Sequence, residues 1–174
     1  SINEQYAPYL AVCLKSLAAH VACDECYRII VMCDNVKNIT MIQLRNVIKD
    51  YENIDIEFVD IRKKMYEYSE SFGQTVTDRQ ENRLYSGEFT LTIYFRLFIA
   101  ELFPELNKAV YIDSDTVIND DIAKLYSVDM GDAMFGAVRD TFAGKNTILA
   151  HYIENVVGIE RDEYVNSGVL LMNL

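Results

Sequence analysis

Val110-Tyr111-Ile112-Asp113-Ser114-Asp115-Thr116 decides how this chain is read. Ala109 through Ile112 is a short apolar run, the pattern of a buried strand. Two carboxylates follow it with one residue between them. In an open α/β sheet, ligands gather beyond the carboxyl ends of the strands. In an extended segment, residues i and i+2 point to the same side. The spacing lets Asp113 and Asp115 face one divalent cation, with Ser114 turned away; the alternative reading is a capped turn. Hard cations such as Mg²⁺ or Mn²⁺ take oxygen ligands and keep positions open for substrate phosphates.

Outward from that motif, helix and strand patterns alternate to both ends. Pro8–Val21 repeats apolar residues at helical spacing (Tyr9, Leu10, Cys13, Leu14, Leu17, Val21), with Pro8 suited to a first turn. Tyr27–Cys33 and Ile54–Ile61 read as strands, and Met41–Tyr51 as an amphipathic helix. The polar stretch from Arg62 to Phe89 is aperiodic and long for a compact domain. Leu91–Phe103 predicts a strong helix stopped by Pro104. Ile122–Tyr126, capped by Asp120 or Asp121, and Thr147–Val157 predict further helices. Met134–Val138 and Val169–Met172 predict strands. Alternating helices and continuous apolar strands mean an α/β domain, residues 1–174, with a mainly parallel sheet covered by helices on both faces.

The 174 residues are 51% apolar, with 2 Pro and 7 Gly, which excludes disordered and low-complexity classes. The formal charge of −11 argues against nucleic acid and anionic membrane surfaces as partners. A small anionic ligand stays open, because a metal ion can mediate between carboxylates and phosphates. No segment qualifies as a membrane span: Leu91–Phe103 is too short and carries Arg96 and Glu101. The chain starts without Met and stops inside the apolar run Val169-Leu170-Leu171-Met172, so a fragment truncated at both ends is the expectation. Cys23-Asp24-Glu25-Cys26 lacks the two further ligands of a zinc site, and the cysteines are expected to be free thiols.

Two chemistries use an acidic pair after a strand. One is transfer of a sugar from a nucleotide diphosphate, with the metal offsetting charge on the leaving group. The other is haloacid-dehalogenase-type phosphoryl transfer, with Asp113 as nucleophile and Asp115 as general acid. That second motif normally opens its fold, whereas 112 residues precede Asp113, and Gly136 stands where the acidic partner of Asp132 is needed. Arg96 sits among apolar neighbours and reads either as a snorkelling surface arginine or as a guanidinium directed at phosphate or at the carboxylates. Asp34 reads as a turn or cap residue. Asn166-Ser167-Gly168 reads either as a plain turn or as amide and hydroxyl groups offered to a sugar.

The combined pattern resembles the family 8 glycosyltransferases, which include glycogenin and bacterial lipopolysaccharide galactosyl- and glucosyltransferases. The matching segments are Tyr6–Val12 with Leu14–Leu17, Tyr94–Leu97, Val110–Thr116, Gly136–Asp140 and Tyr164–Leu174. The resemblance implies a GT-A fold and a metal-dependent, retaining hexosyltransferase that uses a UDP-sugar, with Mn²⁺ (or Mg²⁺) as cofactor and a glycan or lipopolysaccharide-type acceptor. Carried over by position, Asp113 and Asp115 hold the metal and Tyr6 stacks on uracil. Asn3 sits at the base, where many relatives have Asp. The Ser114 backbone approaches the ribose, and Arg96 the diphosphate or donor sugar. Asp140, Asn166 and Ser167 line the sugar pocket, and no nucleophile is assigned. The family's third metal ligand, a His in a C-terminal segment, has no counterpart here, and His20 and His151 read as structural. The resemblance also implies action in the cytoplasm, with any membrane association left to segments outside this chain. An inactive nucleotide-sugar binder is the non-enzyme alternative.

Overall fold

The computed structural model describes residues 1–62 and 91–174, which divide into two compact units. The polar stretch expected from Arg62 to Phe89 lies outside the described residues, apart from Arg62 itself.

The first unit comprises residues 1–105 and 114–124. Its sheet has the order β1-β2-β3, formed by Ile2–Asn3, Tyr27–Asp34 and Ile54–Asp60, and both pairings are parallel. In β2 the consecutive residues Val31, Met32 and Cys33 are all buried, so both faces of the strand are covered. That is the environment in which a continuous apolar run, rather than an alternating one, is stable. Between the strands run α1 (Ala7–Ala18) and α2 (Asn38–Val47), which pack against each other. Ala7, Leu10, Cys13, Leu14, Leu17 and Ala18 form the buried stripe of α1. Its 3- and 4-residue steps follow from 3.6 residues per turn. Pro8 occupies the first turn, where a missing N–H costs nothing.

The helix expected over Leu91–Phe103 differs in kind. Leu91–Phe98 is a 3-10 helix, and only Ile99–Leu102 (α3) is α-helical. Thr92, Phe95, Ile99 and Leu102 are buried, at steps of three, four and three. Over eight residues such steps barely separate a 3.0 from a 3.6 repeat. The β-branched and aromatic residues at its start also disfavour the α form.

The second unit comprises residues 106–113 and 125–174. Its sheet has the order β4-β6-β5, formed by Lys108–Ile112, Val165–Asn173 and Phe135–Arg139. Both pairings are antiparallel, so parallel pairing is confined to the first sheet. An apolar run reports that a strand is buried and is silent on the direction of its neighbour. Leu170 and Leu171, consecutive and buried, mark β6 as the centre. The helix expected over Thr147–Val157 is α-helical in Thr147–Tyr152 and continues as a π turn through Val157, closed by Gly158 at φ +80°. The short helix α4, Ile122–Tyr126, spans the junction of the two units in sequence. Asp121 caps it: its Oδ1 accepts from the Ala123 N–H at 2.9 Å.

Candidate active site

Strand β4 stops at Ile112, and Ser114–Asp115 form a turn. The extended geometry expected through Asp115 therefore ends at Asp113. Asp113 is half-buried, Ser114 is buried at 5% exposure and Asp115 is exposed. Ser114 is turned inward by a turn, so the extended i, i+2 argument that placed the two acids on one side does not apply beyond Asp113.

Asp113 belongs to the second unit and is fixed there from two strands. Its N–H donates to the Gly168 carbonyl at 2.7 Å, which extends the β4–β6 ladder one step beyond the Ile112–Val169 pair. Its Oδ1 accepts a hydrogen bond from the Tyr111 hydroxyl at 2.7 Å. Tyr111 is buried at 4% exposure and, as residue i−2 on the strand, lies on the same side. A hydrogen bond to a charged group contributes about 1.5–3 kcal/mol. Tyr111 escaped the reading of the sequence, although the two-residue strand period could have found it.

Asn166, Ser167 and Gly168 are part of β6 and do not form a turn before it. They stand at an irregularity. On β5, Ala137 faces Leu170 while the next residue, Val138, faces Asn166, so Ser167, Gly168 and Val169 are extra on the β6 side. Such bulges re-aim side chains and recur beside active sites. Here the Asn166 Oδ1 accepts from the Gly168 N–H at 2.9 Å, and both Asn166 and Ser167 are exposed. A Cβ on Gly168 would stand 2.9 Å from Asp113 Oδ2 and 3.0 Å from Asn166 Oδ1. A glycine inside a strand marks a close approach of this kind; the sequence reading named Gly168 in the Asn166-Ser167-Gly168 segment without seeing its contact with Asp113.

Asp140, the last sugar-pocket candidate, follows β5. Its Oδ1 accepts from the N–H groups of Phe142 and Ala143 at 2.9 and 2.8 Å, which caps the 3-10 turn Ala143–Lys145. Both bonds use one oxygen, so the cap leaves the acceptor capacity of the other to a ligand.

In the first unit the chain after Asp115 is tied to α1. The Ile118 N–H donates to Ser16 Oγ at 2.9 Å, and that hydroxyl donates to the Cys13 carbonyl at 2.8 Å. The three parallel strands end in a polar row, with Asn3 in register with Asp34 and Cys33 with Asp60. Asn3 Oδ1 accepts from the N–H groups of Gln5 and Tyr6 at 3.0 and 3.2 Å, so its side chain caps the 3-10 turn Glu4–Tyr6. Asp would cap equally well. Tyr6 is 39% exposed, its ring centroid 5.6 Å from that of Tyr9 at a 45° tilt. Asp34 and Asp60 both pair with Arg62, at 3.3 and 3.2 Å. Glu4 receives the Lys37 N–H and the Thr40 hydroxyl, and those bonds, the backbone one first, lower its pKa. Arg96 is half-buried in the 3-10 helix.

Among the described residues no three His, Cys, Asp or Glu side chains gather as a metal site. Carboxylate oxygens such as those of Asp113 and Asp115 are the donor type that a hard cation takes. The four cysteines are free thiols: Cys23 and Cys26 exposed, Cys13 and Cys33 buried. No helix among the described residues is long and apolar enough to cross a membrane.

The family model for glycosyl transferase family 8 matches residues 1–174. A putative glycosyltransferase of Haemophilus influenzae is 28% identical over all of this chain, which covers 47% of that protein. Among solved structures, the galactosyltransferase LgtC in complex with donor and acceptor sugar analogues has a TM-score of 0.70 and 25% identity, over 99% of this chain and 55% of that one. The apo bifunctional glycosyltransferase WbbM has a TM-score of 0.78 at 24% identity, over 99% of this chain and 30% of that one. The fold is GT-A. The chain spans about half the length of the Haemophilus relative.

Proposed function

The chain belongs to glycosyl transferase family 8, and from that membership we propose that it carries the donor-binding part of a metal-dependent, retaining hexosyltransferase that uses a UDP-sugar. The observation that carries the reading is the Asp113 carboxylate, held at the end of β4 by Tyr111 and Gly168, with the exposed Asp115 two residues on. Asp113 and Asp115 would hold Mn²⁺ or Mg²⁺. When bound, the cation supplies positive charge that offsets the charge developing on the diphosphate as the glycosidic bond breaks.

The chain's own residues bind and orient. The exposed face of Tyr6 stacks on uracil, and Asn3 fixes the turn that presents that ring. The Ser114 backbone meets the ribose. Arg96 meets the diphosphate or the donor sugar with a planar fork suited to phosphate oxygens. Asp140, Asn166 and Ser167 accept or donate hydrogen bonds to sugar hydroxyls. The reacting carbon passes through an oxocarbenium-like state, as in glycoside cleavage. The proposed acceptor is a glycan or lipopolysaccharide-type saccharide, and the proposed setting the cytoplasm.

Calorimetry of the intact protein with UDP, with and without Mn²⁺, tests this. Asp115→Ala should weaken the metal-dependent binding at least as much as the about 10–100-fold typical of losing an outer partner of a metal site. Unchanged affinity would remove Asp115 from the site. No metal-dependent UDP binding in the wild type would remove the transferase reading itself.

A further inference from the structure

We propose that Tyr111 and Gly168 are positioning residues for the metal site, holding the Asp113 carboxylate in the one orientation in which it meets the cation. This rests on the reading of Asp113 as a metal ligand. Three contacts, from two antiparallel strands, converge on this one residue. The buried Tyr111 hydroxyl donates to Oδ1 at 2.7 Å, and the Asp113 N–H donates to the Gly168 carbonyl at 2.7 Å. The third is steric: the carboxylate lies so close over Gly168 that a Cβ there would stand 2.9 Å from Oδ2.

Gly168 does not adopt a left-handed conformation, unlike Gly131 and Gly158, so its backbone does not demand glycine. Space does. Any side chain at this position pushes on the carboxylate, on Asn166 Oδ1, or on both. Tyr111 is equally specific. Its ring fills the core, and the hydroxyl is the part that reaches the acid. A ligand held on one oxygen by a fixed donor has its rotamer set before the cation arrives, so less ordering opposes binding.

Mn²⁺ binding to the intact protein decides it, measured by calorimetry and by the electron paramagnetic resonance of free against bound Mn²⁺. The variants are Tyr111→Phe, Gly168→Ala and, as reference, Asp113→Asn. We expect Asp113→Asn to lose Mn²⁺ binding. Tyr111→Phe should weaken it by about 10-fold, the low end for a partner of a metal ligand, and Gly168→Ala by at least as much. Excess Mn²⁺ should restore turnover in Tyr111→Phe, a rescue that a loss of fold would not show. If Asp113→Asn loses Mn²⁺ while Tyr111→Phe and Gly168→Ala bind as wild type, the positioning role is overturned and the metal reading stands. If Asp113→Asn itself binds Mn²⁺ as wild type, the metal reading falls and takes the positioning role with it. Should Gly168→Ala lose its cooperative melting transition, Tyr111→Phe decides alone, because it removes one oxygen and keeps the ring.

Discussion

The two sheets end their strands in different ways. In the parallel sheet, β1, β2 and β3 finish side by side on polar residues, Asn3 in register with Asp34 and Asp60 in register with Cys33, one position back. Each of these polar side chains is already engaged locally, Asn3 on backbone N–H groups and the two aspartates on Arg62. The Tyr6 ring, 39% exposed, follows β1. In the antiparallel sheet, β6 starts where β4 finishes, so a neighbouring strand lies beside the end of β4 and bonds the backbone of its last acid. A parallel row thus gathers positions from several strands, whereas an antiparallel crossing immobilises one residue. In the proposed function the first would carry the stacking surface for the base, and the second the metal ligand, whose placement tolerates little error.

Separating the two regions by mutation sharpens this contrast. The largest effect is expected at Tyr6. Base–aromatic stacking is worth about 1–3 kcal/mol per base, so Tyr6→Ala should weaken UDP binding by roughly 5- to 150-fold. Mn²⁺ binding measured without nucleotide should be unchanged. A matching loss of Mn²⁺ affinity would break the division between a stacking surface and a metal ligand.

How legible each region was follows from the same contrast. Helix α1 and strands β2 and β3 emerge from periodicity within a residue or a few, because a buried stripe or run is a local property. The acidic pair was legible because its residue types are unusual directly after an apolar run. Asn3 and Asp140 were read as ligand-facing, and their capping bonds appear only once the following turns are seen. What stayed hidden is what depends on a distant strand. Gly168 matters because Asp113, 55 positions earlier in the chain, lies against it. The bulge of β6 exists only relative to β5. No local pattern announces either.

Asn3 comes next in size. Removing a capping side chain costs about 1 kcal/mol, and the turn it caps carries Tyr6, so Asn3→Ala should weaken UDP binding by roughly 5-fold through the ring's placement. Asn3→Asp keeps the acceptor and should bind as wild type. Equal losses in both variants would mean that Asn3 contacts the base through its amide and that capping is incidental.

The smallest effect separates the regions by stability. All four cysteines lie in the parallel unit. Burial, the largest cause in each case, pushes the Cys13 thiol up to about 11 and the Cys33 thiol up to about 12, from an ordinary 9.0. A raised acid pKa means that the native state keeps its proton while the unfolded chain loses it. The contribution to stability is therefore complete below pH 9 and lost as pH rises toward 11–12. The melting temperature should fall across that window, by roughly 2–4 °C per kcal/mol lost in a protein of this size. Cys13→Ala with Cys33→Ala should flatten the slope, whatever it does to the baseline. Hydrogen exchange should then find β2 and α1 opening before β4 and β6, because the antiparallel sheet carries no thiol. Simultaneous opening of the two sheets would mean that they unfold as one cooperative body, and that the difference between them is one of local geometry alone.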